Sequence, residues 1–267
     1  GRAMSARLMT ALAAAWIALA APAFAQTPAT PGAQADAYWD KDDQARARRA
    51  LYREHGGATN WFALADRLEY QSNEGSPALL FDGQGWWGTD RTKLWLKSEV
   101  EYDFTDDKFA EAELQALWSR PIARYFDVQA GVRRDFAPDP SRNYAVLGVQ
   151  GLAPYWFEID AAIFVSGHGD VTARFEAEYD FLLTQRLIAQ PRTELNFAAQ
   201  DVAALGIGSG LSTAELGLRL RYEFKREFAP YVGVNWERAV GDTADFARAA
   251  GDDPGAVSLV AGVRLWF

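Results

Sequence analysis

The chain has 267 residues, with 27 basic against 36 acidic side chains, a formal net charge of −9 at pH 7 and no cysteine. The lack of cysteine excludes disulfides, thiolate metal sites, iron–sulfur ligation and a cysteine nucleophile. A protein this acidic repels nucleic acid and favours cations, so we expect no nucleic-acid partner.

Residues 1–25 predict a secretory signal peptide. Arg2 and Arg7 lie at the positive end of the apolar run LMTALAAAWIALA, and the segment ends in the small-x-small cleavage site AFA. The two methionines of the chain, Met4 and Met9, both fall inside this segment. No second long apolar run follows, so a membrane location would not use a bundle of helices.

Residues 26–58 predict a periplasmic linker that ends in one short helix. The stretch QTPATPGAQ is rich in Pro, Ala and Thr, which is typical of a disordered linker. The following stretch AYWDKDDQARARRALYREHGG has acidic residues early, basic residues late and a glycine stop. This charge order favours a helix, because it complements the helix dipole.

From about residue 61 the hydrophobic period changes from helical to two, and it remains two to the end. VTARFEAEYDF (171–181) and TAELGLRLRYEF (213–224) alternate apolar with mainly charged residues. Ten further segments show this pattern, near 61–71, 79–88, 92–104, 108–119, 125–134, 142–150, 155–165, 187–198, 228–238 and 256–267. Tilted strands need roughly 9 to 11 residues to cross a bilayer. Residues 59–267 therefore predict an all-β fold, a transmembrane antiparallel up-and-down β-barrel of about twelve strands, with ten to fourteen as alternatives.

The ends of these segments favour an outer-membrane barrel over a soluble sandwich. Aromatic residues cluster there, as in the girdles at the two membrane interfaces. If the first strand rises from the periplasm, the two longest connections, near 199–211 and 240–255, lie on the outer side. The last strand then returns to the periplasm and closes the barrel, and in such barrels a C-terminal aromatic like Phe267 is recognised by the barrel assembly machinery. We expect the outer membrane of a Gram-negative bacterium as the location and its lipid as a partner.

Several long stretches carry a family resemblance: GQGWWGTDRTKLWLKSEVE, LGVQGLAPYWFEIDA, EAEYDFLLTQRLIAQPRTELN, IGSGLSTAELGLRLRYE, FAPYVGVNWER and AGVRLWF. Together they resemble the copper resistance protein B family (CopB or PcoB), over roughly residues 50 to 267. The resemblance implies an outer-membrane barrel of copper resistance and homeostasis that binds copper ions, passes them across the outer membrane or sequesters them there. It also implies a periplasmic partner, a multicopper oxidase of the same operon.

The sequence departs from this family in its methionines. Many members carry a segment rich in Met and His between the signal peptide and the barrel, whereas here no methionine follows Met9. Thioether and thiolate groups suit Cu(I), and the mature chain would have neither. We therefore expect Cu(II) rather than Cu(I) as the bound ion.

Two sets of side chains are candidate copper ligands. The first would supply nitrogen and oxygen at the periplasmic mouth: His55, Glu54, Asp42 and Asp43. As an alternative, His55 is a helix C-terminal residue that interacts with the dipole. The second set lies on charged strand faces that would line the lumen: Glu99, Glu101, Glu111, Glu113, Glu176 and Glu178. Its alternative is a structural network of carboxylates and guanidinium groups that braces a narrow barrel.

Other functions have less support in the residues. An outer-membrane hydrolase needs a histidine-based acid–base unit, but His55 precedes the barrel and His168 is alone in the turn SGHGD, so we predict no enzymatic activity. A general porin or structural barrel without metal specificity is the remaining alternative. The indoles of Trp86, Trp87 and Trp95 can stack on a cation, but an interfacial girdle explains them as well.

Overall fold

The computed structural model describes residues 38–51, 57–73 and 76–267, so the predicted signal peptide lies outside the described residues. The chain divides into two compact units, and the first contains helix α1 (Lys41–Leu51). Backbone N–H groups of its first turn donate to the Asp40 carboxylate, and acidic residues there and basic residues in the last turn suit the helix dipole. The predicted short helix is therefore confirmed. No helix among the described residues is long and apolar enough to cross a membrane.

The second unit, Thr59–Phe267, is a β-barrel. Its strands are β1 (Asn60–Ser72), β2 (Ala78–Thr89), β3 (Thr92–Asp103), β4 (Lys108–Ala123), β5 (Phe126–Ala137), β6 (Arg142–Ala153), β7 (Phe157–Ser166), β8 (Val171–Glu178), β9 (Phe181–Leu182), β10 (Leu187–Ala198), β11 (Gly210–Tyr222), β12 (Phe228–Ala239) and β13 (Gly255–Trp266). The last long connection carries a second helix, α2 (Asp242–Ala250).

All strands pair antiparallel with their neighbours, and β13 pairs with β1 to close the barrel. The closure extends to the last residue, because Phe267 and Ala63 exchange two backbone hydrogen bonds of 2.8 and 3.1 Å. Strands β8 and β9 both pair with β10 and together form one interrupted strand. The barrel therefore has twelve strands, as predicted.

Strand β11 shows which residues of the alternating pattern face out of the barrel and which face into it. Leu216, Leu218 and Leu220 face outward and are between 41 and 56 % exposed, whereas Arg219 and Arg221 face inward and are at most 3 % exposed. A soluble barrel would bury the leucines instead. Apolar side chains outside and charged side chains inside are the arrangement of a barrel that is surrounded by lipid.

The two ends of the barrel differ in the length of their connections. One end of the barrel carries the short turns, together with the start of β1 and the end of β13. The other end carries the two longest connections, 199–209 and 240–254. By the rule for outer-membrane barrels, the first end faces the periplasm and the second faces outward. We call them the inner end and the outer end.

Two predicted segments differ from the structure. The segment 171–181 is not one continuous strand, because pairing stops at Glu178 and resumes at Phe181. Tyr179 donates its N–H to the carbonyl of Pro191 at 3.2 Å, but proline has no N–H to return the bond. The segment 240–255, predicted as a loop, contains α2, whose Thr243 accepts a hydrogen bond of 2.9 Å from the Gly208 N–H.

Candidate cation path in the barrel lumen

Six inward side chains form a closed ring of alternating charge across the middle of the lumen. In order around it, the residues are Arg67, Glu99, Arg174, Glu194, Arg192 and Glu215, and each guanidinium contacts both neighbouring carboxylates at N···O distances of 2.7 to 3.6 Å. Since β3 and β8 lie on opposite walls of the barrel, the contact between Glu99 and Arg174 spans the lumen. We call these six residues the charged ring.

Further ion pairs extend the ring along the walls. Arg174 also contacts Glu113 at 3.1 Å, and Glu113 in turn contacts Arg133 at 2.7 Å. Arg133 packs over the ring of Phe164, with 4.8 Å between the guanidinium carbon and the ring centroid. The N–H groups at the edge of this guanidinium therefore pair with carboxylates, while its flat face packs against an aromatic ring.

A second buried ion pair lies beside the ring. Arg219 donates two hydrogen bonds of 2.9 and 2.8 Å to Glu69, and Tyr231 donates a third of 2.9 Å. Gln71 donates a fourth hydrogen bond, of 3.1 Å. Glu69 is only 1 % exposed, so these four bonds replace the hydration of its carboxylate. The protein itself therefore compensates the charge of this carboxylate.

Part of the lumen is apolar. Leu117, Tyr144, Val146 and Phe164 form a buried cluster on the inward faces of β4, β6 and β7, with Trp95 packed against it. This filling narrows the lumen on one side and leaves the charged ring to close the rest.

Two cavities lie on either side of the charged ring, and Glu99 and Arg174 line both. The inner cavity has a volume of about 310 Å³, and the outer cavity, which reaches the long connections, has about 370 Å³. In each cavity the lining has eight carboxylates and three basic side chains. Both chambers therefore present excess negative charge, which attracts cations.

The register places like charges directly opposite each other on neighbouring strands. Glu158 faces Glu178 in the inner chamber, and Glu101 faces Glu111 in the outer chamber. Such opposition destabilises a sheet unless a positive charge lies between the two groups. Glu178 accepts a hydrogen bond of 3.2 Å from Gln190, and among the described residues no ion pair reaches Glu158 or Glu178.

At the outer mouth, Asp170 fastens the turn between β7 and β8. It pairs with Arg142 and accepts hydrogen bonds from Ser166 and Gln200. Burial tends to raise the pKa of Asp170, but these hydrogen bonds and the Arg142 charge outweigh that effect and hold its pKa below the usual value. Asp170 therefore stays negative at neutral pH and adds to the potential of the outer chamber.

The structure brings the predicted lumen carboxylates together, though in different environments. Glu99, Glu113 and Glu176 are held by arginines at N···O distances of 2.7 to 3.4 Å. Glu111 has one distant contact, 3.5 Å from Arg174. Glu101 and Glu178 form no ion pair within the described part of the chain. Both the bracing network and the acid-rich lining are thus present, on different residues; their role as copper ligands stays a prediction.

The predicted mouth ligands are only partly placed. Asp42 and Asp43 lie exposed in the first turn of α1, where Asp43 pairs with Arg46. Glu54 and His55 lie outside the described residues. His168 is exposed in its turn. Across 38–51, 57–73 and 76–267, no three His, Asp or Glu side chains form a ready-made metal cage.

The indoles do not all belong to a girdle. Trp87 faces outward and is 62 % exposed, as the girdle interpretation requires. Trp86 and Trp95 belong to the opposite face, and each stacks on a lysine, with the Lys93 Nζ 5.3 Å from the Trp86 centroid and the Lys97 Nζ 5.9 Å from the Trp95 centroid. The expectation of an interfacial role was wrong for these two, because strand alternation directs neighbouring side chains to opposite faces.

Sequence reasoning missed several central residues on β1, β2 and β5, namely Arg67, Glu69, Asp82, Arg133 and Asp135. A β-bulge between Ala65 and Arg67 shifts the alternation of β1 halfway along the strand. Arg67, Glu69 and Gln71 do alternate with Leu68 and Tyr70, and that short run was the available signal.

Comparisons with known proteins agree with this architecture. The family model described as Copper resistance protein B precursor (CopB) matches residues 59–267. The chain is 44 % identical over 253 residues to the Copper resistance protein B homolog of Pseudomonas syringae pv. tomato, covering 92 % of this chain and 82 % of that protein. It is 45 % identical over 213 residues to Copper resistance protein B of Escherichia coli, covering 80 % of this chain and 71 % of that protein.

Among solved structures, the NanC porin is similar with a TM-score of 0.52 at 13 % identity, over 77 % of this chain and 99 % of the porin. That likeness concerns the fold alone. The family match and the two relatives concern the sequence itself over most of the chain. The protein is a member of the copper resistance protein B family of outer-membrane β-barrels, with a role in copper resistance.

Proposed function

We propose that this barrel contributes to copper resistance by binding Cu(II) weakly along its carboxylate-lined lumen, and so passes copper across the outer membrane or holds it there. The observation that carries the proposal is the excess of carboxylates in both chambers, in a member of a copper resistance family. An ion that enters either chamber meets oxygen ligands before it meets the charged ring.

The ligand chemistry supports Cu(II) over Cu(I). Beyond Met9 the chain offers no thioether, and it has no thiol. Carboxylate oxygen is a harder ligand than copper prefers, so we expect modest affinity, which suits an ion that must also leave. A tight Cu(I) site in the mature chain would contradict this assignment.

In the inner chamber, the best candidate for copper binding is the opposed pair Glu158 and Glu178. Neither forms an ion pair with an arginine in the described structure, and they lie in the periplasmic half of the lumen. This position supports transfer to or from a periplasmic partner, for which we propose a multicopper oxidase. We infer no catalytic role, since the described His168 is exposed and hydrogen-bonded only through its backbone N–H.

The test replaces both residues, Glu158→Gln with Glu178→Gln, and measures growth on copper and calorimetric Cu(II) titration of the refolded protein. We expect lower copper tolerance and about tenfold weaker binding, which corresponds to about 1.4 kcal/mol. The matched control is Glu223→Gln with Glu227→Gln, which removes the same charge at the same end of the barrel but outside both cavities. Equal tolerance and equal binding in the two variants would refute the inner copper site.

A general porin or structural barrel is the second candidate, and the charged ring is the observation that favours it. If the ring only braces the barrel, copper tolerance will not respond to any change in the lumen that leaves the fold intact. His55→Ala forms a separate arm of the same titration, because it tests the predicted ligand set at the periplasmic mouth. Weaker Cu(II) binding in that variant alone would place the copper site at the mouth.

A further inference from the structure

The two longest connections of the barrel touch each other at the outer end. The N–H of Gly208, in the connection 199–209, donates to the hydroxyl of Thr243 in α2 at 2.9 Å, and both residues are buried. A Cβ atom added at Gly208 would lie 2.5 Å from the backbone nitrogen of Thr243, so only glycine lets the two backbones come this close. The two connections are therefore in direct contact.

Their shared underside forms part of the wall of the outer chamber. Val202 and Ile207 of the first connection line that cavity, together with Thr243 of the second. Val202 is 6 % exposed and Thr243 is 8 % exposed, although residues of connecting segments are usually exposed. This burial means that residues 199–209 and α2 fold over the outer mouth, and we call these two segments the lid.

The lid is held firmly at its base but weakly across its middle. At the base, the Val240 N–H donates to the Ser212 carbonyl at 2.8 Å, which continues the pairing of β12 with β11. Among the hydrogen bonds of the described residues, the bond from Gly208 to Thr243 is the only one that joins the two connections. A segment with few such bonds separates from the rest of a fold more easily than a paired strand does.

The two ends of α2 can act as hinges. Gly241 precedes this helix and Gly251 follows it, with φ angles of 57° and 94° that residues with a Cβ atom rarely adopt. Hinges are a few residues at the ends of an element that absorb large changes of φ and ψ. Apart from Thr243, only Ala244 of the helix is buried, so a movement of α2 removes little buried apolar surface from its contacts.

We propose that the lid is a gate: α2 swings about Gly241 and Gly251, the bond between Gly208 and Thr243 breaks, and the outer chamber opens to the exterior. An ion from outside then passes the lid before it meets the charged ring, so the lumen has two barriers in series. The proposal concerns access to the chamber and does not rest on the proposed copper function.

The test measures how fast a single thiol on the underside of the lid reacts with a charged methanethiosulfonate reagent, in the refolded full-length protein in detergent. The unaltered chain has no cysteine, so Val202→Cys supplies the only thiol. Ala203→Cys, at the exposed neighbouring position, gives the rate for a thiol that no lid covers. We expect Val202→Cys to react about tenfold more slowly than Ala203→Cys, or slower still, because reaction must wait for the lid to open.

Removing the hydrogen bond should release the lid. Thr243→Val deletes the acceptor of the Gly208 N–H, so we expect the Val202→Cys thiol to react about tenfold faster in this background. The matched control is Thr213→Val, which deletes another hydroxyl of the outer chamber that accepts one hydrogen bond, of 3.1 Å, but lies outside the lid. It should leave the rate unchanged.

A steric wedge tests the same gate by other means. Gly208→Ala adds a Cβ atom that collides with the backbone of α2 and should also speed the reaction, whereas at Gly167, in the turn between β7 and β8, an added Cβ atom has nothing within 4 Å. The proposal is overturned if Val202→Cys reacts as fast as Ala203→Cys, since the chamber is then open without any movement. It is also overturned if neither Thr243→Val nor Gly208→Ala reacts faster than its control.

Amide hydrogen exchange of the unaltered protein supplies a measurement that needs no substitution. The Gly208 N–H is released whenever the lid opens, so it should exchange about tenfold faster than the paired amides of β11 and β12, or faster still. Equal exchange rates would mean that the lid moves only when the barrel wall itself opens, which contradicts a gate.

Discussion

Individual side chains in this lumen differ in how completely the protein satisfies them. Glu69 accepts four hydrogen bonds, whereas Glu101 and Glu237 form no ion pair with the described residues. Because all three are glutamates on inward faces, residue type and strand face alone do not distinguish a structural carboxylate from one that is available to an ion. The number of donors around each carboxylate makes that distinction.

The buried group around Glu69 gives a prediction about stability. Tyr231→Phe removes one donor from a charged, buried carboxylate, so we expect a loss of about 1.5 to 3 kcal/mol in the free energy of unfolding. Tyr222→Phe, which removes a hydroxyl from an outward position, should change it by less than about 0.5 kcal/mol. Urea unfolding in lipid vesicles measures both; similar losses in the two variants would show that the hydrogen bond to Glu69 is unimportant.

At the scale of elements, the period of two predicted nearly all strands. The exceptions have local causes that alternation does not reveal. β1 carries a bulge, and β6 has apolar residues on both faces because Tyr144 and Val146 pack inside the lumen. Helix α2 was missed because a helix of nine residues in a long connection has little periodic signal, and its contact with Gly208 depends on the neighbouring connection.

The interruption between β8 and β9 gives a prediction about local dynamics. Pro191→Val restores an N–H opposite Tyr179, so we expect amide hydrogen exchange at residues 179–182 to slow about tenfold. This corresponds to an increase of about 1.4 kcal/mol in the free energy of local opening. Global stability is a poor measure here, because losing proline raises the entropy of the unfolded chain by a comparable amount. Thr193→Val on the same face is the control. Unchanged exchange in the proline variant would mean that Asp180, held by Arg221 at 2.6 Å, causes the break.

For the whole molecule, we predict that the charged ring limits the conductance of the barrel. Arg67→Gln with Glu99→Gln removes one ion pair of the ring while the net charge and nearly all the volume are kept. We expect single-channel conductance in planar bilayers to rise by roughly twofold or more, with cation selectivity from the remaining carboxylates.

The matched control for the conductance measurement is Lys93→Gln with Asp127→Asn, another inward ion pair, of 3.1 Å, outside the ring. It should leave the conductance unchanged. If both double variants conduct alike, the apolar cluster around Leu117 rather than the ring closes the lumen.

The sequence by itself determined that the chain forms a membrane barrel with a charged interior. Segments of bilayer length with a period of two place apolar side chains toward the lipid, and a closed barrel is the arrangement of such strands in which every backbone group can be hydrogen-bonded. Only the tertiary structure decided which carboxylates are neutralised. Arg174 meets Glu99 across 75 residues of sequence and from the opposite wall, through the curvature and register of the whole barrel. Pairing of that kind has no local signal, since any inward arginine is equally compatible with the alternation of its own strand.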